Sequence, residues 1–264
     1  MRRHVSYASR SLSTRSVQRG VGAKPSRWCG WWMRTQKGGG PELNLASNWR
    51  HWGRPSGPRV GWQVTDITDA KQCAALVDSA VEKFGKLDAL VNCAAFDSVF
   101  GGVEEANFDE WRQVFDTNVI GTLQVTQSAI PHLKKNGGAI VFIGSQGMFW
   151  PPKGFFQTAY QSSKAGLVSA MYHLANELGA DKIRVNTVVP TWMWGPPVEG
   201  YVSMTADAQG IPPEQVIAGI TQNMPLGEIP SDGDVAEAVI FFASDRARMI
   251  TAQTLMVNAG EFPH

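Results

Sequence analysis

The chain has 264 residues, 43% of them apolar, which suits one α/β domain of ordinary size with a full buried core. A formal net charge of +1 gives no bulk attraction to nucleic acid or to an anionic membrane. That average hides a break, because residues 1–59 hold twelve Lys or Arg and one acid, Glu42, for a net of +11, which leaves −10 on the rest.

Residues 1–58 contain six Val, Leu or Ile and no sustained period of 2 or 3.6, while six of the chain's ten Trp fall by position 62. This reads as an atypical basic, Trp-rich segment, disordered or translated out of frame, ahead of a domain at 59–264. A transit segment (Met1–Arg19 is rich in Arg and Ser) and a basic nucleic-acid arm are the alternatives. Cys29, Cys73 and Cys93 have neither metal-type spacing nor the even count of a disulfide framework, so no metal and a reduced, cytoplasmic setting are expected. No stretch approaches the ~20 apolar residues of a membrane span.

From Val60 the pattern becomes orderly. Val60–Thr65 alternates and reads as a short strand. Asp69 can cap a helix to about Phe84 that turns Cys73, Leu76, Val77, Ala80, Val81 and Phe84 to one face, and Gly85 ends it. Leu87–Ala94 is apolar almost throughout, as a parallel strand covered on both faces tends to be. A long helix is expected over about Phe108–Leu133, with a stripe of Trp111, Val114, Phe115, Val119, Leu123, Ser128/Ala129 and Leu133. Then come a strand Ala139–Gly144, a helix Thr158–Leu178 and a strand Ile183–Val189. Residues 196–230, rich in Pro and Gly, read as an irregular lobe. A helix Asp232–Ala243 and a strand Thr254–Asn258 finish the series. Strands alternating with long helices imply an α/β fold: a Rossmann-like doubly wound parallel sheet in three α/β/α layers.

Tyr160-Gln161-Ser162-Ser163-Lys164 places a phenol and an ammonium one helical turn apart on one face. That spacing alone occurs on many solvated helices, but here it has company. Ser145 stands at the end of a buried strand, where a parallel sheet presents its ligand-facing groups. Asn118 lies mid-helix, where an amide does nothing for helix stability. Asn92-Cys93-Ala94-Ala95 and Pro190 follow two more strands, and Asp66 follows the first.

With these residues, the sequence from about Val60 to Gly260 resembles the short-chain dehydrogenase/reductase family. Asn118, Ser145, Tyr160 and Lys164 match the family's catalytic tetrad in order and approximate spacing. Asp66, followed by Ile67, matches the acidic residue that meets the adenine ring. Asn92-Cys93-Ala94 matches the Asn-Asn-Ala-Gly segment, with Cys93 for the second Asn and Ala95 for the Gly. Pro190-Thr191 stands where Pro-Gly is usual. The resemblance implies NAD or NADP as cofactor, bound by Asp66, Ile67, Asn92, Cys93, Ala94, Tyr160, Lys164, Pro190 and Thr191. It also implies that Tyr160 exchanges a proton with a secondary alcohol or ketone, that Ser145 holds the same oxygen, and that Asn118 anchors a relay water. A homodimer or homotetramer is expected from the family's pairing of two long helices.

Trp150, Trp192, Trp194 and Tyr201 flank the expected pocket, which suits an apolar or cyclic substrate, although these rings can equally serve to pack the lobe. The family's opening strand, its Thr-Gly-x-x-x-Gly-x-Gly turn and the following helix have no counterpart here. Gly38-Gly39-Gly40 lacks the flanking strand and helix and is followed by Pro41. The first strand-turn-helix is therefore expected to be missing or replaced, and dinucleotide binding to be poor. Two readings follow: an active oxidoreductase, or a relic that keeps the tetrad but cannot bind the dinucleotide.

Overall fold

The computed structural model describes residues 61–151 and 156–262. The expectations for residues 1–58 lie outside that range, as does Cys29.

Helix α1 (Ala70–Phe84) starts where Asp69 accepts hydrogen bonds from the backbone N–H groups of Lys71 and Gln72. It stops at Gly85, whose φ of 87° lets its own N–H return to the Val81 carbonyl. Strand β1 (Ala89–Asn92) follows. The long helix then runs as α2 (Phe108–Phe115), a π-helical turn (Asp116–Gly121) and α3 (Thr122–Leu133). Strand β2 (Gly138–Ile143), helix α4 (Thr158–Leu178) and strand β3 (Ile183–Pro190) come next. Helices α5 (Pro196–Gln209), α6 (Pro213–Thr221) and α7 (Asp232–Ala243) precede strand β4 (Thr254–Val257).

The four strands pair in the order β1-β2-β3-β4, all parallel, with Leu90 beside Ile140 and Ile140 beside Val185. Side chains alternate across this sheet and both faces are covered, as the three-layer expectation requires. On one face Leu90, Ile140, Phe142 and Val185 pack with Val125 of α3 and Met171 of α4. On the other, Val141 and Val188 pack with Val235 and Phe242 of α7. Each fully buried aliphatic or aromatic side chain contributes roughly 1.5–3 kcal/mol. Among the described residues, no helix is long and apolar enough to cross a membrane, and no group of three or more His, Cys, Asp or Glu is placed to hold a metal ion.

Three expectations need correction. Gly61–Asp66 forms no strand; Val60 lies outside the described residues. The Pro- and Gly-rich stretch after Thr191 is not irregular but carries α5 and α6. Pro196 and Pro197 open α5 and Pro213 opens α6, where a missing N–H costs nothing, and Gly210 ends α5 with φ 63°. The long helix keeps its span and most of its stripe: Val114, Ala129 and Leu133 are buried, Trp111, Val119 and Leu123 half-buried, and Phe115 alone of the stripe is exposed. The π turn rotates the face, so that Asn118, Gly121, Thr122, Val125 and Thr126 turn inward while Phe115 and Ile120 remain exposed.

Candidate functional site

The site gathers at the C-terminal ends of the strands, around the first turn of α4. Lys164 is 2% exposed, and its Nζ donates to the carbonyl of Ile143, the last residue of β2, at 2.8 Å. The ammonium also lies 5.6 Å from the centroid of the Tyr160 ring. Ser145, two residues beyond Ile143, is extended (φ −153°, ψ 135°), and its hydroxyl makes no hydrogen bond among the described residues. One strand end thus carries both the anchor of the ammonium and the serine, and α4 sets the Tyr160 ring beside that ammonium.

Burial pushes the Lys164 ammonium down to about 8, against the opposing pull of Cys93 and Asp97. The Asp97 carboxyl is in turn raised by burial, with Ser98 and Lys164 pulling the other way. A buried lysine with one hydrogen bond among the described residues keeps two N–H donors for an incoming acceptor.

Asn118 is fully buried in the π turn, a distortion that recurs at functional sites. Its Nδ2 donates to the Phe96 carbonyl (3.0 Å) and to Ser163 Oγ (2.9 Å), and its Oδ1 accepts from Phe96 N at 2.6 Å. Ser163 Oγ donates to the Tyr160 carbonyl at 2.6 Å. The amide therefore ties the loop after β1 to the turn of α4 that carries Tyr160 and Lys164. Both of its N–H donors are committed, so only oxygen acceptors remain for a relay water.

Asn92 is buried and donates to Thr126 Oγ1 at 3.2 Å, while Cys93 is exposed at the mouth beside Ala94. Asp66 Oδ1 accepts from Thr68 N (2.9 Å) and Thr68 Oγ1 (2.7 Å), which fixes the carboxylate in a local turn. Ile67 after it is buried in the core. Pro190 ends β3, and Thr191 Oγ1 donates to Glu261. Of the expected substrate residues, Trp150 is 56% exposed and stacks against Phe262 with centroids 5.0 Å apart. Trp192 stacks on Tyr201 at 5.1 Å and, with Trp194, packs against the α5–α6 cluster around Val198, Val202 and Val216. Those two rings hold the lobe in place.

Asp97, Gln146, Ser163 and Glu261 were not singled out in the sequence. Ser163 had a signal, since it immediately precedes Lys164 in the Tyr160–Lys164 motif. Gln146 directly follows Ser145 and Asp97 lies two residues beyond Ala95, but their partners Glu261 and Lys164 come from far along the chain, which no local spacing shows.

A nicotinamide dinucleotide fits the described residues at both ends. The Lys164 ammonium keeps unused donors that would meet the ribose, Cys93 and Ala94 after β1 are small, and Asp66 is fixed in its turn where the adenine would lie.

The family profile described as enoyl-(acyl carrier protein) reductase matches residues 51–261. An uncharacterized oxidoreductase of Methylorubrum extorquens is 36% identical over 198 residues, 74% of each chain. The 3-oxoacyl-[acyl-carrier-protein] reductase of Thermotoga maritima is 31% identical over 206 residues, 76% of this chain and 77% of its own. Among solved structures, a short-chain type dehydrogenase/reductase from Mycobacterium ulcerans shares the fold with a TM-score of 0.76. It is 24% identical, and the match covers 88% of this chain and 80% of that one. An NAD+-bound xylitol dehydrogenase superposes with a TM-score of 0.69 at 25% identity, over 76% and 79% of the two chains. With this fold, this strand-end geometry and these relatives, the chain belongs to the short-chain dehydrogenase/reductase family of oxidoreductases.

Proposed function

We propose that this protein interconverts a secondary alcohol and a ketone with NAD or NADP, using Tyr160 as the acid/base. The observation that carries this reading is the buried Lys164 ammonium, fixed to the Ile143 carbonyl beneath the Tyr160 ring and two residues from Ser145. A free tyrosine titrates near ~10, too high for a good base at neutral pH. A cation in a poorly solvated site favours the phenolate and brings Tyr160 toward working range. Tyr160 takes the alcohol proton, or returns one to the carbonyl oxygen in reduction. Ser145 donates a hydrogen bond to that same oxygen and fixes it. Lys164 would hold the cofactor's ribose with its remaining donors, and Asn118 holds the loop and helix in register while offering an oxygen to a relay water. The nicotinamide, when bound, accepts or supplies the hydride. The reductase and xylitol dehydrogenase among the similar proteins support a carbonyl/alcohol couple and a nicotinamide partner. The exposed Trp150 wall suits an apolar or cyclic substrate.

The test is a panel of secondary alcohols and ketones given to the full chain with each of NAD(H) and NADP(H), followed through the nicotinamide absorbance. Turnover with at least one pair is expected, at high cofactor concentration because no Gly-rich phosphate turn precedes Asp66 in this sequence. A folded protein that neither binds a dinucleotide nor turns over any pair is the non-catalytic relic instead.

A further inference from the structure

We infer that Glu261 is a positioning residue for the substrate side of the site, acting through Gln146 and Thr191. The inference rests on the reading of Ser145 and Tyr160 given above. Glu261 Oε2 accepts from Gln146 Nε2 at 2.7 Å and also from Thr191 Oγ1. Gln146 directly follows Ser145, and its Oε1 accepts from Asn258 Nδ2 at 2.7 Å. A single carboxylate beyond β4 thus ties together the exits of β2, β3 and β4.

Anchoring the tail does not require this arrangement. Asn258 Nδ2 already holds the Phe262 carbonyl (2.9 Å), Gly260 N donates to Asn258 Oδ1 (3.1 Å), and Glu261 N donates to the Asn258 carbonyl (2.9 Å). Leu226 N donates to the Ala259 carbonyl, and Phe262 stacks on Trp150. The Glu261 side chain goes beyond these contacts to the two strand exits that carry Ser145 and Thr191. Its effect on Gln146 is specific. That amide is buried, with its nitrogen given to Glu261 and its oxygen to Asn258, so it cannot rotate without losing a charge-assisted bond. With Gln146 locked, the direction of the adjoining Ser145 hydroxyl, which has no partner of its own among the described residues, is set from the far end of the chain.

The test compares the full-length protein with Glu261→Ala, Glu261→Gln, Thr191→Val and Tyr160→Phe, using hydrogen exchange read by mass spectrometry together with kcat and KM. Glu261→Ala is expected to speed amide exchange about tenfold at residues 145–150 and 191–194 as well as 258–262, because the protecting contacts span all three segments. It should also raise KM for the carbonyl substrate about tenfold, since substrate orientation degrades while the acid remains. Glu261→Gln still accepts through its amide oxygen and should recover most of both effects. Thr191→Val cuts the other arm and should loosen 145–150 even if Glu261→Ala does not fold. Acceleration confined to 258–262, or wild-type KM in Glu261→Ala, would overturn the inference. If instead Tyr160→Phe turns over like the wild type, the reaction assignment falls while the exchange pattern still decides the coupling.

Discussion

Lys164 carries the largest electrostatic consequence at the scale of single residues. An unfolded lysine holds its proton to about 10.5, whereas the buried Lys164 sheds it near 8. Between those values Lys164 binds its proton more tightly in the unfolded chain, so its contribution to stability rises with pH across that window, opposed above about 9 by the Cys73 and Cys93 thiols, which burial raises. Below about 8 the buried charge is a standing cost, and Lys164→Met should abolish the slope. Chemical denaturation of both proteins at pH 7.5, 8.0 and 8.5, below the thiol range, checks this, and a wild type that rises no more than Lys164→Met would contradict it. Activity should move the opposite way. As the ammonium loses its charge, its support for the Tyr160 phenolate goes, and kcat/KM for alcohol oxidation should turn downward above about 8. At this scale Tyr160 and Lys164 were legible because i and i+4 on a helix is a local fact. Gln146 and Glu261 were not, since they meet across 115 positions of chain and nothing local marks either of them.

Among the elements, the π turn at Asp116–Gly121 decides most about the site, because it buries Asn118 and brings Gly121 against the segment after Thr65. A Cβ on Gly121 would lie 2.8 Å from Ile67 Cγ1 and 2.9 Å from the Ile67 carbonyl oxygen. Gly121→Ala should therefore push back the backbone that carries Asp66, at a cost of about 1–3 kcal/mol. An unchanged urea midpoint would show that the contact gives way freely. The helix Phe108–Leu133 was readable as a span with most of its buried face, but a period of 3.6 cannot register one extra residue in a turn, so Phe115 was placed inward and Gly121 was passed over. Helices α4 and α7 match their expected bounds. In α7 the reason is a capping box between Ser231 and Asp234 that starts it sharply. The lobe was misread because proline and glycine signal helix ends as readily as loops.

For the whole molecule, the helices Phe108–Leu133 and α4 leave several large apolar side chains exposed among polar ones. Phe108, Ile120 and Tyr172 are each at least half exposed, and a groove of about 350 Å³ lies between Ile120, Leu123, Ile130 and Leu174. A second copy packed against these helices would cover them, in keeping with the family's expected assembly. Ile120→Asp should then convert a dimer or tetramer to smaller species in light scattering without unfolding it; a wild type that runs as a clean monomer would contradict this.

In the proposed reaction the proton at the substrate oxygen comes from Tyr160, and Tyr160→Phe removes it while leaving the ring and the Lys164 anchor in place. Steady-state kcat/KM of Tyr160→Phe against wild type, on whichever alcohol and cofactor the wild type uses, tests the assignment most directly. A loss of about three or more powers of ten with an unchanged melting temperature is the expected result, at the upper end of acid–base effects. Near-normal turnover in a folded Tyr160→Phe protein would contradict it.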